Sequence, residues 1–153
     1  AAWIDDFYAR LYARLEQGAP LVTGVLTVLD GLDAAGIPYA IGSNGSPRKM
    51  QITLGQHAGL IARFGGRIFS GQDMPRPKPF PDVFLHAAQS MAADPASCVV
   101  VEDSATGAQA AVAAGMAVLG FTRDTPRAKF EGLTDLVFDD MAQLPALLGL
   151  PAE

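Results

Sequence analysis

With 153 residues, half of them hydrophobic and 18% charged, the chain suits one domain with a buried core and is too apolar to be disordered. A net charge of −5 argues against nucleic acid as a partner, which would need a clustered basic face. No apolar run approaches the ~18–20 residues that span a bilayer, so no membrane partner is expected. Cys98, the single cysteine, rules out an internal disulfide framework and suits the cytoplasm.

Residues 2–16 space Trp3, Phe7, Leu11 and Leu15 four apart, which predicts a helix with one apolar stripe, ended by Gln17-Gly18-Ala19-Pro20. A second helix is expected near 24–35, with Val25, Val28, Leu29 and Leu32 on one face and Gly36 as its cap. The short stretch 38–42 reads as a strand. Ser46-Pro47 reads as an N-cap followed by proline at the first helical position, opening a helix to about residue 56. Residues 67–70 predict another strand, and Phe84, Ala87, Ala88 and Met91 a helix over 81–92. Cys98-Val99-Val100-Val101 is a β-branched run of the kind buried on both faces. An alanine-rich helix over 105–114, stopped by Gly115, is followed by strands at 118–121 and 136–138 and a last helix over 141–148. Strands alternating with helices predict an α/β fold: a three-layer, Rossmann-like parallel sheet with helices on both faces.

In such sheets ligands bind beyond the carboxyl ends of the strands. Three strand ends or approaches carry suitable groups. Ser43-Asn44-Gly45 offers a hydroxyl, an amide and a flexible backbone to phosphate oxygens, beside the N-terminus of the helix opened by Ser46. The same residues also make ordinary turns. Glu102-Asp103 follows the valine run, and two adjacent carboxylates repel unless a cation lies between them; Mg²⁺ suits such hard oxygen ligands. A solvated turn that caps the next helix is the plain alternative. Lys78, stiffened between Pro77 and Pro79, can offset charge on a phosphoryl group. Arg48 and Lys49 follow on the helix beside the first group. His57 and His86 show no metal or dyad pattern, and Cys98 reads as packing.

Taken in order, Ser43-Asn44, Lys78-Pro79-x-Pro81-Asp82-x-Phe84, and Val101-Glu102-Asp103-Ser104-x-x-Gly107 through Ala113-Ala114-Gly115-Met116 resemble the second, third and fourth motifs of the haloacid dehalogenase superfamily. The branch they resemble holds β-phosphoglucomutase and many small sugar-phosphate phosphatases. The resemblance implies that Ser43, Asn44 and Gly45 bind the phosphoryl group, that Lys78 holds it and offsets its charge, and that Asp103 with Glu102 binds Mg²⁺. It also implies that residues 1–18 are a remnant of a helical cap and 19–153 the catalytic core. The family's nucleophile and its general acid–base are the two aspartates of an Asp-x-Asp motif on a central strand, which the resemblance places between the strands ending at Ser43 and Glu102; no Asp-x-Asp occurs in this sequence, so its sheet is expected to lack that first, central strand. The expected partner is therefore a small phosphorylated substrate, together with an N-terminal segment that completes the sheet; the 153 residues alone are expected to be inactive. A phosphomutase and a non-catalytic phosphatase-like binding module are the rival readings. Dehalogenation fits less well, because that metal-free reaction has no use for a Glu102-Asp103 metal pair.

Overall fold

The computed structural model describes residues 2–150; Ala1 and 151–153, the outermost residues of the two expected domains, lie outside the described residues. Helices α1 (Ala2–Glu16) and α2 (Val25–Ala34) precede strand β1 (Ile41–Ser43), helix α3 (Pro47–Gly55), helix α4 (Leu60–Phe64) and strand β2 (Ile68–Ser70). Then come α5 (Asp82–Ser90), β3 (Val99–Glu102), α6 (Ala105–Ala113), β4 (Ala117–Phe121), β5 (Val137–Phe138) and α7 (Leu144–Leu147). All ladders are parallel. β1 pairs with β2, with Ile41 opposite Ile68 and Ser43 opposite Ser70; β3 pairs with β4 and β4 with β5.

Helices cover both faces, as expected for α/β. Along β4, Leu119 and Phe121 face a core formed with Val28, Leu29 and Leu32 of α2 and Leu144 of α7. Val118 turns the other way, into a core with Val83, Phe84 and Ala88 of α5 and Ala108 and Ala111 of α6. This alternation is the period of two that a strand imposes. Gly120 interrupts it for a steric reason: a Cβ there would lie 2.8 Å from the ring of Phe130, which is fully buried.

The strands form two separate parallel groups, β1-β2 and β3-β4-β5, and among the described residues no strand pairs with the second edge of β1 or of β3, which accords with the expected lack of a central strand between them. Several other expectations are corrected. The valine run is not buried on both faces. Val100 lies in the α5–α6 core, but Val99 is 48% and Val101 38% exposed, because the core on the opposite face takes in no residue of β3. The strand expected at 38–42 begins at Ile41, the first residue to enter a ladder, with its N–H donating to the Arg67 carbonyl. The last helix is broken into a 3₁₀ turn over Met141–Gln143 and the short α7, at Pro145 in its first turn. Helix α4 was not anticipated; its five residues are too few to show a period.

Candidate active site

The end of β1 is built by local capping. Ser46 N-caps α3, its Oγ accepting from the Lys49 N–H at 3.2 Å, with Pro47 in the first turn. Ser43 Oγ accepts the Gly45 N–H at 3.0 Å, which curls the loop over the strand end. The end of β2 and the turn after it hold that loop. Ser70, 2% exposed, donates its hydroxyl to the Gly45 carbonyl at 2.8 Å, and Gln72 Nε2 donates to the Asn44 carbonyl at 3.1 Å.

The Asn44 side chain turns to the Lys78 segment. Its Oδ1 accepts the Lys78 N–H at 2.9 Å and its Nδ2 donates to the Lys78 carbonyl at 3.1 Å. Both polar atoms of this amide, which the sequence offered as a phosphate donor, are thus engaged within the protein. Lys78 in turn reaches across to the second strand group. Its Nζ lies 4.4 Å from the centre of the Phe84 ring and forms an ion pair with Glu102 Oε1. The two side chains are only 8% and 9% exposed.

At the end of β3 the two carboxylates part company. Glu102 is buried; its Oε2 accepts the Ser104 hydroxyl at 2.9 Å, and its carboxylate lies against Gly107, where a Cβ would overlap it. Ser104 also N-caps α6, accepting the Gly107 N–H at 3.0 Å. Lys78 is therefore the cation that offsets the repulsion between the neighbouring acids. Asp103 is exposed, and its carbonyl accepts the Thr125 hydroxyl at 2.6 Å. Among the described residues no three His, Cys, Asp or Glu side chains cluster as a metal site. Mg²⁺ usually takes one or two carboxylates and fills the remainder with water and phosphate oxygens, so Asp103 fits as an open ligand of such a site, whereas both oxygens of Glu102, expected as its second ligand, are engaged by Lys78 and Ser104.

Asn44, Lys78 and Glu102 are thus joined by direct contacts, with Ser43 and Asp103 next to them in the chain. Sequence reasoning missed Ser70, Gly71 and Gln72; their place at the carboxyl end of the strand expected at 67–70 and just past it was the signal available. Arg48 lies 4.6 Å over the Tyr12 ring of α1, while the stem of Lys49 runs beside Gly45. His57 Nε2 donates to the Ala19 carbonyl at 2.8 Å, and His86 packs edge-on against Phe69, structural roles for both. Clefts of about 270 Å³ (bordered by Met50, Ile68 and Asp73) and 400 Å³ (bordered by Leu21, His57 and Arg63) include none of the five candidate side chains.

The sequence profile of the haloacid dehalogenase-like hydrolases matches residues 2–115. The chain is 35% identical over 144 residues to 6-phosphogluconate phosphatase of Escherichia coli K12, covering 94% of this chain and 63% of that protein. It is 35% identical over 133 residues to hexitol phosphatase A of the same organism, covering 84% and 57%. A crystal structure of a HAD family hydrolase from Deinococcus radiodurans R1, with bound phosphate and sodium, superposes with a TM-score of 0.83 at 33% identity, covering 95% of this chain and 66% of that one. The chain thus spans less than two-thirds of the length of the curated relatives it matches. By this match and by its fold, the chain belongs to the haloacid dehalogenase-like hydrolases.

Proposed function

We propose that the protein of which this chain forms the core hydrolyses a small phosphorylated metabolite, a sugar phosphate or its acid, with Mg²⁺ and through an aspartyl-phosphate. The observation that carries this reading is the contact chain Asn44–Lys78–Glu102, which draws the loop after β1 and the end of β3 to one place. The names of the phosphatase relatives support the substrate class.

In this reading Ser43 Oγ and the backbone of Asn44 and Gly45 bind phosphoryl oxygens, and the Lys78 ammonium offsets their charge. Asp103 holds Mg²⁺, with Glu102 behind it fixing Lys78. Bound Mg²⁺ supplies charge neutralisation and orientation at the phosphoryl group. The open edges of β1 and β3 and the exposed Val99 and Val101 accord with a further strand seated between them that carries the nucleophilic aspartate. Attack by that carboxylate forms a phosphorus–oxygen bond as the ester bond breaks, and the departing alkoxide takes a proton from a second aspartate. Water then cleaves the acyl phosphate and regenerates the carboxylate. Helix α1, within the expected cap remnant of residues 1–18, acts as the closing helix of a cap, and residues from 19 onward as the catalytic core. One unbridged cysteine suits a cytoplasmic setting.

The test is phosphate release by the full-length protein from 6-phosphogluconate, hexitol phosphates and other sugar phosphates, with Mg²⁺ and after chelation. Metal-dependent release is expected. Turnover unaffected by chelation, or none on any phosphate ester, would contradict the proposal.

A further inference from the structure

The Lys78 segment has an unusual shortage of backbone donors. Pro77 and Pro79 flank Lys78, so its N–H is the only amide donor in the Pro77-Lys78-Pro79 run. That donor and the Lys78 carbonyl are both taken by one side chain, the amide of Asn44, at 2.9 and 3.1 Å. The backbone of Asn44 is itself fixed by Gln72 on its carbonyl, and that of Gly45 by Ser70. Gly71 lies between these two residues, and a Cβ at Gly71 would overlap Asn44 Oδ1. Gly71 does not have a positive φ, so backbone freedom does not call for glycine there. Clearance for the Asn44 amide does.

We infer that Asn44 is a positioning residue: its side chain clasps the Lys78 peptide like a one-residue strand, and Gly71 is the clearance that lets it do so. The clasp sets where the Lys78 ammonium stands relative to the loop of Ser43. A displacement of ~1 Å in such a group can cost about 100-fold in rate. A substrate-binding Asn44 would present its amide to the ligand and would not need Gly71.

The inference rests on the proposed phosphatase activity for its kinetic readout only. In the full-length protein, amide exchange at Lys78, an N–H isolated between two prolines, is followed by NMR, and kcat and KM are measured with p-nitrophenyl phosphate. N44A and G71A are each expected to speed Lys78 exchange by about tenfold or more, as for the loss of one hydrogen bond. They are expected to lower kcat by about 10–100-fold with KM little changed. The N44A/G71A double variant is expected to be no worse than N44A, since Gly71 acts through Asn44. N44D, which retains an acceptor for the Lys78 N–H, is expected to recover part of the exchange protection. Normal Lys78 exchange in N44A, a rise in KM with kcat intact, or additive losses in the double variant would each overturn the inference. A wild-type protein without turnover would defeat the phosphatase reading, while the exchange measurement would still decide the clasp.

Discussion

Glu102 can lie against α6 only because residue 107 has no side chain. A glycine inside a helix normally costs up to ~1 kcal/mol relative to alanine, so replacing it should help. At Gly107 the sign reverses, because the new methyl group must displace a buried carboxylate from Lys78 and Ser104. Gly107→Ala is expected to lose about 2–4 kcal/mol, a fall in Tm of about 4–16 °C, whereas Gly55→Ala in α3, with its nearest neighbour at 3.7 Å, is expected to be neutral or better; thermal melts of the two check this. Glu102→Gln would leave the Lys78 ammonium buried without its counter-charge, at a cost of about 3–5 kcal/mol by denaturant titration. Burial first, and then Asp94, push the Cys98 thiol above its ordinary range. Thiolate therefore forms only at higher pH, and alkylation of Cys98 is expected to be slower than that of a free cysteine at neutral pH and to catch up as pH rises. Of these residues Glu102, Lys78 and Gly107 stood out in the sequence, because a motif marks them. Gly71 and Ser70 did not, since their value depends on a clearance and a burial that only the folded loops create.

α1 is held to the core in an unusual way. None of its residues is fully buried: of the apolar stripe read from its four-residue spacing, Trp3 (73%) and Phe7 (55%) stay exposed and only Leu11 and Leu15 are half-buried. Polar contacts to α3 and the turn after it tether the helix. Tyr12 Oη meets Ser46 Oγ at 3.0 Å, Gln56 bonds the Leu15 carbonyl at 2.7 Å and the Ala19 N–H at 3.0 Å, and His57 bonds the Ala19 carbonyl. Elements with little apolar burial open at low free energy. In this chain, α1 amides are expected to exchange far faster than those of α5 or α6, and Gln56→Ala to speed exchange over residues 12–19 without moving the core; equal protection in α1 and α6 would contradict this. Helices were the more legible elements because a 3.6-residue period recurs several times in α2 and α5, and Ser46, Gly36 and Gly115 mark their ends as capping chemistry requires. Strands of two to five residues carry too few alternations to place their ends, which is why β1 was expected three residues early.

The molecule as a whole consists of two parallel strand groups joined mainly by the helices and, at the candidate site, by the Lys78–Glu102 pair. The α/β class and the two helical layers could be read from the alternation of elements. The division of the sheet was legible only through the family resemblance, which puts a central strand between those ending at Ser43 and Glu102; the valine run by itself looks the same beside a neighbouring strand or an open edge. The exposed Val99 and Val101 and the contact chain from Asn44 to Glu102 are two sides of one arrangement: a site placed across the line between the groups. The most direct test is a crystal structure of the full-length protein with tungstate, a phosphate mimic whose anomalous signal locates it without ambiguity. The account predicts the anion within hydrogen-bonding distance of Ser43 Oγ and Lys78 Nζ, with a strand between β1 and β3 directing an aspartate at it. Tungstate bound elsewhere, or β1 hydrogen-bonded directly to β3, would contradict it.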